Sequence, residues 1–401
     1  MTAKRYLVVG VLFVLSLITY IDRVAISSAK GPISTELALS DADMGWVFGA
    51  FALGYAIAQV PSGWFADRCG PRLALAAVVA VWSLFTGLTG AASSLGVLVV
   101  VRFLFGMGEA GAFPGCARAF YNWLPIRERG RANGIIFSGS RLGGALAFPI
   151  LAWLIAQWGW RMAFVVLGLI GVVWAVFWLA WFHDHPDVPI SAEEKEIGPQ
   201  MTFGQVFRSR AMALAMLQYF ASNFTFFICL SWMHPYLRDH YQLSQTEAAG
   251  YAMIPLLFGA AAQWTAGFLV DGILRTKLRP WSRQLPAMIG FALAVLGLVG
   301  VNLSQSPAAA VACFALATFG ADMTISPSWV YCVDIGGKNS GAISGAMNMM
   351  GNFGSFVSSI AFPYLYRLTG NADTYFVTAA VLDVVAIVCW LGMKQRSRQM
   401  S

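Results

Sequence analysis

Apolar stretches of about twenty residues recur along the chain, near 7–29, 43–65, 73–93, 96–121, 132–156, 161–182, 210–236, 246–270, 285–304, 307–332, 341–365 and 373–393, each closed by polar, Gly or Pro positions. A helix needs roughly 20 residues to cross the hydrocarbon core of a bilayer, so the pattern predicts twelve transmembrane helices. The first run follows Lys4 and Arg5, contains Asp22 and Arg23, and lacks a small-residue cleavage site, which makes it a retained helix rather than a signal peptide. One long polar segment, 183–209, holds Asp184, Asp187, Glu193, Glu194, Lys195 and Glu196, and it divides the runs six and six. The expected organisation is an N-terminal six-helix bundle over 1–182, a cytoplasmic linker over 183–209 and a C-terminal six-helix bundle over 210–401.

Composition agrees with that pattern. Of 401 residues, 58% are hydrophobic and 11% charged, against about 25% charged in soluble domains, so the chain reads as an all-α integral membrane protein. With the N-terminus inside, eighteen Lys and Arg fall on the cytoplasmic side and four on the other, while Arg23, Arg102, Arg118 and Arg141 lie within spans. Both termini are therefore expected in the cytoplasm, and the net charge of +7 reads as a topology signal rather than a nucleic-acid footprint. The six cysteines are scattered, and His183 and His185 stand without further ligands beside them, so neither metal nor cofactor is expected.

The two halves repeat. Leu39-Ser40, Gln59, Gly63 and Asp67 return as Leu243-Ser244, Gln263, Gly267 and Asp271, all displaced by 204 positions, and AFP occurs at both 147–149 and 361–363. Six-helix repeats of this kind are a transporter architecture, with a substrate site near the bilayer midplane and alternating access by rocking.

The stretch GWFADRCGPR at 63–72 resembles the loop motif of the major facilitator superfamily between helices two and three. The resemblance implies a cytoplasmic gate formed by Gly63, Asp67, Arg68, Gly70 and Arg72, with Asp67 capping or pairing with neighbouring helix ends and the arginines bridging the bundles. The second copy, GFLVDGILR, keeps Gly267 and Asp271 but has Gly272 in place of the arginine, so its latch is expected to be weaker. TYIDRVAIS at 19–27, GYAIAQVPSGW at 54–64 and RFLFGMGEAGAFPGCARAFYNWLP at 102–125 resemble the anion:cation symporter family, carriers of sugar acids and other organic anions related to sialic-acid and vesicular glutamate transporters.

Arg102 and Glu109 are seven apart, two helical turns, and share a face of the fourth span. Asp22 and Arg23 stand at comparable depth in the first. Ionisable groups survive in a membrane when they line a cavity and pair with one another. Whether such a carboxylate holds a proton depends on whether its arginine is engaged elsewhere, so an anion that draws an arginine away can bring a proton with it. The resemblance implies this coupling role for Asp22, Arg102 and Glu109. A permanent salt bridge fastening the first span to the fourth is the other reading of the same residues.

Arg23 is the first candidate to hold the anion, since guanidinium offers a planar two-bond fork and keeps its charge. Tyr20, Tyr55 and Gln59 match cavity-lining positions of the sugar-acid branch. The fifth span departs from the family pattern with Ser140-Arg141 in SGSRLGGALAFP; Arg141 either meets a second acidic group of the substrate or pairs with Asp322 or another helix. In the eleventh span, Asn348 and Asn352 present amides at i and i+4, with Asn352 at a position that contacts substrate in relatives. Ser326 and Trp329 of the tenth complete the set. The expected function is import of an organic anion by proton symport across the inner (plasma) membrane, by a monomer. A proton-driven exporter of the same fold is the alternative, disfavoured because GSRLGG lacks the Gly-Pro pair of exporters. The midplane carries no histidine and the chain no P-loop, which argues against a membrane-embedded enzyme or an ATP-driven pump.

Overall fold

A computed structural model describes residues 2–186, 202–231, 233–243 and 245–393. Among these the chain is helical throughout, without strands, and all twelve apolar runs coincide with helices. The first half holds α1 (Thr2–Ser28), α2 (Lys30–Leu37), α3 (Asp41–Cys69), α4 (Pro71–Thr89), α5 (Leu95–Glu109), α6 (Ala112–Trp123) and α7 (Arg129–Trp181). The second holds α8 (Phe203–Phe207), α9 (Arg210–Ser231), α10 (Met233–His240), α11 (Gln245–Ile273), α12 (Gln284–Leu303), α13 (Pro307–Met323), α14 (Ile325–Gly336), α15 (Ser340–Thr369) and α16 (Asp373–Gly392). Nine helical stretches of the described residues are long and apolar enough to cross a membrane, one of them, Pro307–Ser358, running through two of the apolar runs.

Local chemistry sets the helix ends. Ser40 accepts from the Asp43 N–H while the Asp43 carboxylate accepts from the Ser40 N–H, a reciprocal cap that starts α3. Ser94 and Ser306 cap α5 and α13, the latter with Pro307 at the first helical position. Gly70 turns the chain at φ +82° before Pro71 opens α4. The fifth and sixth runs merge into the 53-residue α7, whose direction changes at Gly159, φ +74°, a left-handed conformation that glycine adopts without penalty.

Two spans are interrupted at matching places. The fourth breaks between α5 and α6 and the tenth between α13 and α14. Proline explains both: Pro114 and Pro327 lack the N–H that would reach Ala110 and Met323 one turn back. Each break follows a fully buried acid, Glu109 and Asp322, five residues before its proline.

The chain divides into two compact units, one of residues 1–124, 139–191 and 336–349, the other of 125–138, 192–335 and 350–401. The first unit has an apolar core in which Ile26, Ile33, Leu98 and Phe164 pack together. The second has its own, around Phe224, Leu298, Phe314 and Phe376. Residues 125–138, at the start of α7, belong to the second unit, and 336–349, at the start of α15, belong to the first. Most of the polar linker, 187–201, lies outside the described residues, as does Ser244 of the repeat.

Candidate functional site

In the first unit α3 and α5 run in close contact. A Cβ on Gly54 would overlap the Phe103 carbonyl, and one on Gly106 the Phe51 carbonyl, so glycine at both positions brings the two backbones together. That approach sets Phe51 and Tyr55 of α3 beside Phe105 of α5, with Phe51 to Phe105 centroids 5.4 Å apart.

Arg23 of α1 enters this aromatic wall. Its guanidinium carbon lies 4.5 Å from the Tyr55 ring, 4.9 Å from Tyr20 and 5.4 Å from Phe51, and its Nε donates to Glu109 Oε1 in an ion pair. Arg102 stacks on Phe105 at 4.4 Å and on Phe51 at 5.0 Å. Asp22, buried, has neither carboxylate oxygen hydrogen-bonded; its electrostatic neighbours are Glu109, Trp82 and Arg102. Glu109 is fully enclosed, whereas the Arg23 side chain keeps 20% exposure. The four charges thus form one cluster with a single hydrogen-bonded pair, Arg23 with Glu109, which joins the first span to the fourth.

The remaining candidates surround or depart from that cluster. Tyr20 borders Gly144 of α7, and Gly143 rests on the Leu17 carbonyl, so the segment bearing Ser140 and Arg141 crosses α1 next to the cluster. Ser140 is buried, Arg141 half-buried. The Asn348 amide donates to the Tyr55 hydroxyl at 3.4 Å. Gln59 is fully buried with neither amide atom hydrogen-bonded, one helical turn beyond Tyr55 rather than at the arginines. In the second unit, Ser326 donates to the Gly130 carbonyl and Trp329 to the Tyr219 hydroxyl, both side chains fully buried, while Asn352 is half-buried.

The loop-motif residues divide by partner. Asp67 accepts from the N–H groups of Gly341 and Ala342 at 2.9 and 2.8 Å, a carboxylate at the start of α15. Gly63 lies against Gly341, and either Cβ would collide with the other backbone. Arg68 is exposed and stacks on Trp64, and Arg72 donates to the Leu179 carbonyl within its own bundle. Gly70 packs on Asp184, whose carboxylate accepts from the Arg72 N–H. Arg118 reaches the Lys338 carbonyl at 2.9 Å and Asp67 at 3.9 Å. Asp271 repeats the cap on α7, accepting from the N–H groups of Gly130 and Arg131 and from the Arg131 side chain at 3.2 Å.

Sequence reading missed the buried triad of Arg129, Asp334 and Arg283, with contacts of 2.8 and 3.1 Å. All three stand at span ends, where charge reads as ordinary topology. It also missed the shared acid-to-proline spacing of Glu109–Pro114 and Asp322–Pro327, which carries a displacement of 213 rather than 204.

Comparison with known proteins identifies the family. Residues 12–359 match the family model of the Major Facilitator Superfamily. The chain is 34% identical over 399 residues to the "Probable sulfoacetate transporter SauU" of Cupriavidus necator, covering 96% of this chain and 92% of that one. It is 30% identical over 386 residues to the "Hexuronate transporter" of Bacillus subtilis, covering 94% and 91%. Its backbone superposes on the human organic anion transporter MFSD10 with a TM-score of 0.75 at 14% identity, covering 96% and 99%, a likeness of fold. The chain belongs to the Major Facilitator Superfamily, in the branch that holds these acid transporters, and is a multi-pass membrane transporter rather than an enzyme.

Proposed function

We propose that this protein carries a small organic anion, a sugar acid or a related carboxylate or sulfonate, across the cell's inner (plasma) membrane together with a proton, by alternating access. The observation that carries the reading is the Arg23–Glu109 pair: a half-open guanidinium, held flat against tyrosines, bonded to a carboxylate that is fully enclosed. An anion reaching Arg23 competes with Glu109 for the same fork of N–H donors. Once displaced, Glu109 is a buried carboxylate without its hydrogen-bonded cation, a state costing several kcal/mol, and taking up a proton relieves it. Substrate charge −1 and one proton then enter as a neutral pair. Release reverses the exchange, with Arg23 returning to Glu109 as the proton leaves.

Asp22 supplies the second carboxylate and Arg102 keeps the field balanced while Arg23 is engaged. The relatives named for sulfoacetate and hexuronate transport share the anionic group as their common chemistry, which suits a site built around arginine and tyrosine. The test is thermal unfolding of the detergent-purified protein with sugar acids, sulfoacetate, dicarboxylates and their neutral analogues, followed by uptake into proteoliposomes. A ligand at about 100 times its Kd adds roughly 2.7 kcal/mol. Stabilisation by an acid but not by its neutral analogue, lost in Arg23→Ala, is expected. In Glu109→Gln, exchange of anion across the membrane should persist while accumulation driven by a pH gradient disappears. Stabilisation only by lipophilic cations, indifferent to Arg23, would overturn the proposal.

A further inference from the structure

Asp383 stands apart from every group used above. It lies midway along α16 in the second unit and is buried, at 1% exposure. One oxygen, Oδ2, accepts from the Thr225 hydroxyl of α9 at 2.9 Å; the other, Oδ1, is buried and has no hydrogen-bond partner.

α16 packs chiefly on α9 and α12; Tyr331 of α14 meets it farther along, at Trp390. On α9 the titratable groups with described side chains are Arg210 and Tyr219. Arg210 stands at the level of Gly392, nine residues beyond Asp383 and thus about 14 Å away along α16. Tyr219 accepts from Trp329. On α12 there is no titratable side chain at all; Arg283, which precedes it, is bonded to Asp334. On α16 itself, Asp373 is ten residues away, Tyr375 bonds to Ser358, and Cys389 is a buried thiol. Two other enclosed acids of the unit are treated differently: Asp271 and Asp334 each have an arginine within 3.2 Å.

We propose that Asp383 is a proton-binding site separate from the coupling carboxylates: a carboxylic acid that takes its proton as α9 and α16 pack and keeps it through the transport cycle. Thr225 donates to Oδ2, which is then the carbonyl oxygen, and the proton resides on Oδ1. An ionised carboxylate at this place would face one neutral donor and, among the described residues, no cation, the arrangement that membrane interiors penalise most. In its neutral form the same side chain is a short polar clip between two spans. A proton enters here once, on folding, and none is exchanged per substrate, because Oδ1 is enclosed and Oδ2 is engaged by Thr225.

The test is infrared spectroscopy of the full chain reconstituted in lipid. Wild type minus Asp383→Asn should show the carbonyl stretch of a protonated carboxylic acid, undiminished at every pH at which the protein stays folded. Thr225→Val should move that band to higher frequency by removing the hydrogen bond to its oxygen, a readout that holds if the Asp383 variant fails to fold. Proton-driven uptake by Asp383→Asn should keep the wild-type pH profile. A difference spectrum with no acid band, a band that titrates away as pH rises, no shift in Thr225→Val, or an uptake profile that loses its pH dependence in Asp383→Asn would each overturn the proposal.

Discussion

The same eight-residue spacing, Gln-x3-Gly-x3-Asp, builds one helix crossing in each unit. In the first, Gln59, Gly63 and Asp67 of α3 meet the start of α15; in the second, Gln263, Gly267 and Asp271 of α11 meet the start of α7. Each aspartate caps the partner helix with two backbone hydrogen bonds. Each glycine touches a glycine, and each glutamine carbonyl sits where a Cβ on Gly345 or Gly134 would fall, at 2.6 and 2.5 Å. Both glutamine amides are buried without a hydrogen bond. What differs is the charge around the crossing. The first has Arg118, partly exposed, 3.9 Å from Asp67. The second has Arg131 on Asp271 and, nearby in the same unit, the buried triad of Arg129, Asp334 and Arg283. The backbone crossing is thus written in the repeat, and its strength in residues outside it.

The largest effect should come from Asp334→Ala. It would leave Arg129 and Arg283, at 0% and 1% exposure, as buried guanidinium groups without their shared carboxylate, a change that costs roughly 3–5 kcal/mol. Arg118→Ala in the other unit, removing a partly exposed contact, should cost no more than about 1 kcal/mol. Thermal unfolding of the two variants in one detergent measures the contrast. Equal losses would mean that the buried triad adds no more to its unit than the partly exposed contact adds to the other.

Gly345→Ala and Gly134→Ala come next and should behave alike. Each adds a Cβ into a backbone carbonyl that cannot step aside, and overpacking of this kind costs about 1–3 kcal/mol. Melting temperatures lowered in only one of the two would show that the crossings are not equivalent, despite their shared spacing.

Much of this was legible in the chain. Twelve apolar runs, the 204-residue repeat and the loop motif lead to the helices and the family, because burial of backbone and side chains in a bilayer leaves few ways to write a span. The charged cluster was legible as a set, since charges within apolar runs stand out. Its pairing was legible only as a bridge between the first span and the fourth; that Glu109 bonds to Arg23 in particular was not. The expectation of a weaker second latch looked along the motif alone. Gly272 does leave the motif without its arginine, but Arg131 of α7 provides one. Spacing along one helix shows which groups share a face; it cannot show which helix lies opposite.

Replacing the capping acids measures that compensation. Loss of a charged cap costs about 1 kcal/mol, so Asp67→Asn and Asp271→Asn should both lower stability, Asp271→Asn by the larger amount because it also gives up Arg131. In an Arg131→Gln background the two substitutions should become alike. If Asp67→Asn remains the more damaging in either background, the arginine from α7 does not strengthen the second crossing.

The smallest effect lies at the other end of the first unit, where the second has no described counterpart. Glu36 of α2 accepts from the Trp160 indole at 2.6 Å and from Arg161 at 2.9 Å, and Arg161 in turn donates to the Gly90 and Ala92 carbonyls, closing α2 and the turn after α4 onto α7. The hydrogen bond from Trp160, then that from Arg161, hold the Glu36 carboxyl below the ordinary glutamate range. A carboxyl more acidic in the folded state contributes stability above its unfolded value, about 4.3, and loses it as pH falls through the lower folded value. The melting-temperature difference between wild type and Glu36→Gln should therefore be constant near neutrality and shrink on acidification below about pH 4.3. The group is half exposed, so the difference should be small at any pH and smaller in high salt. A difference that grows on acidification would mean that the clasp is held by the neutral acid, and that Arg161 contributes through its two carbonyl contacts alone.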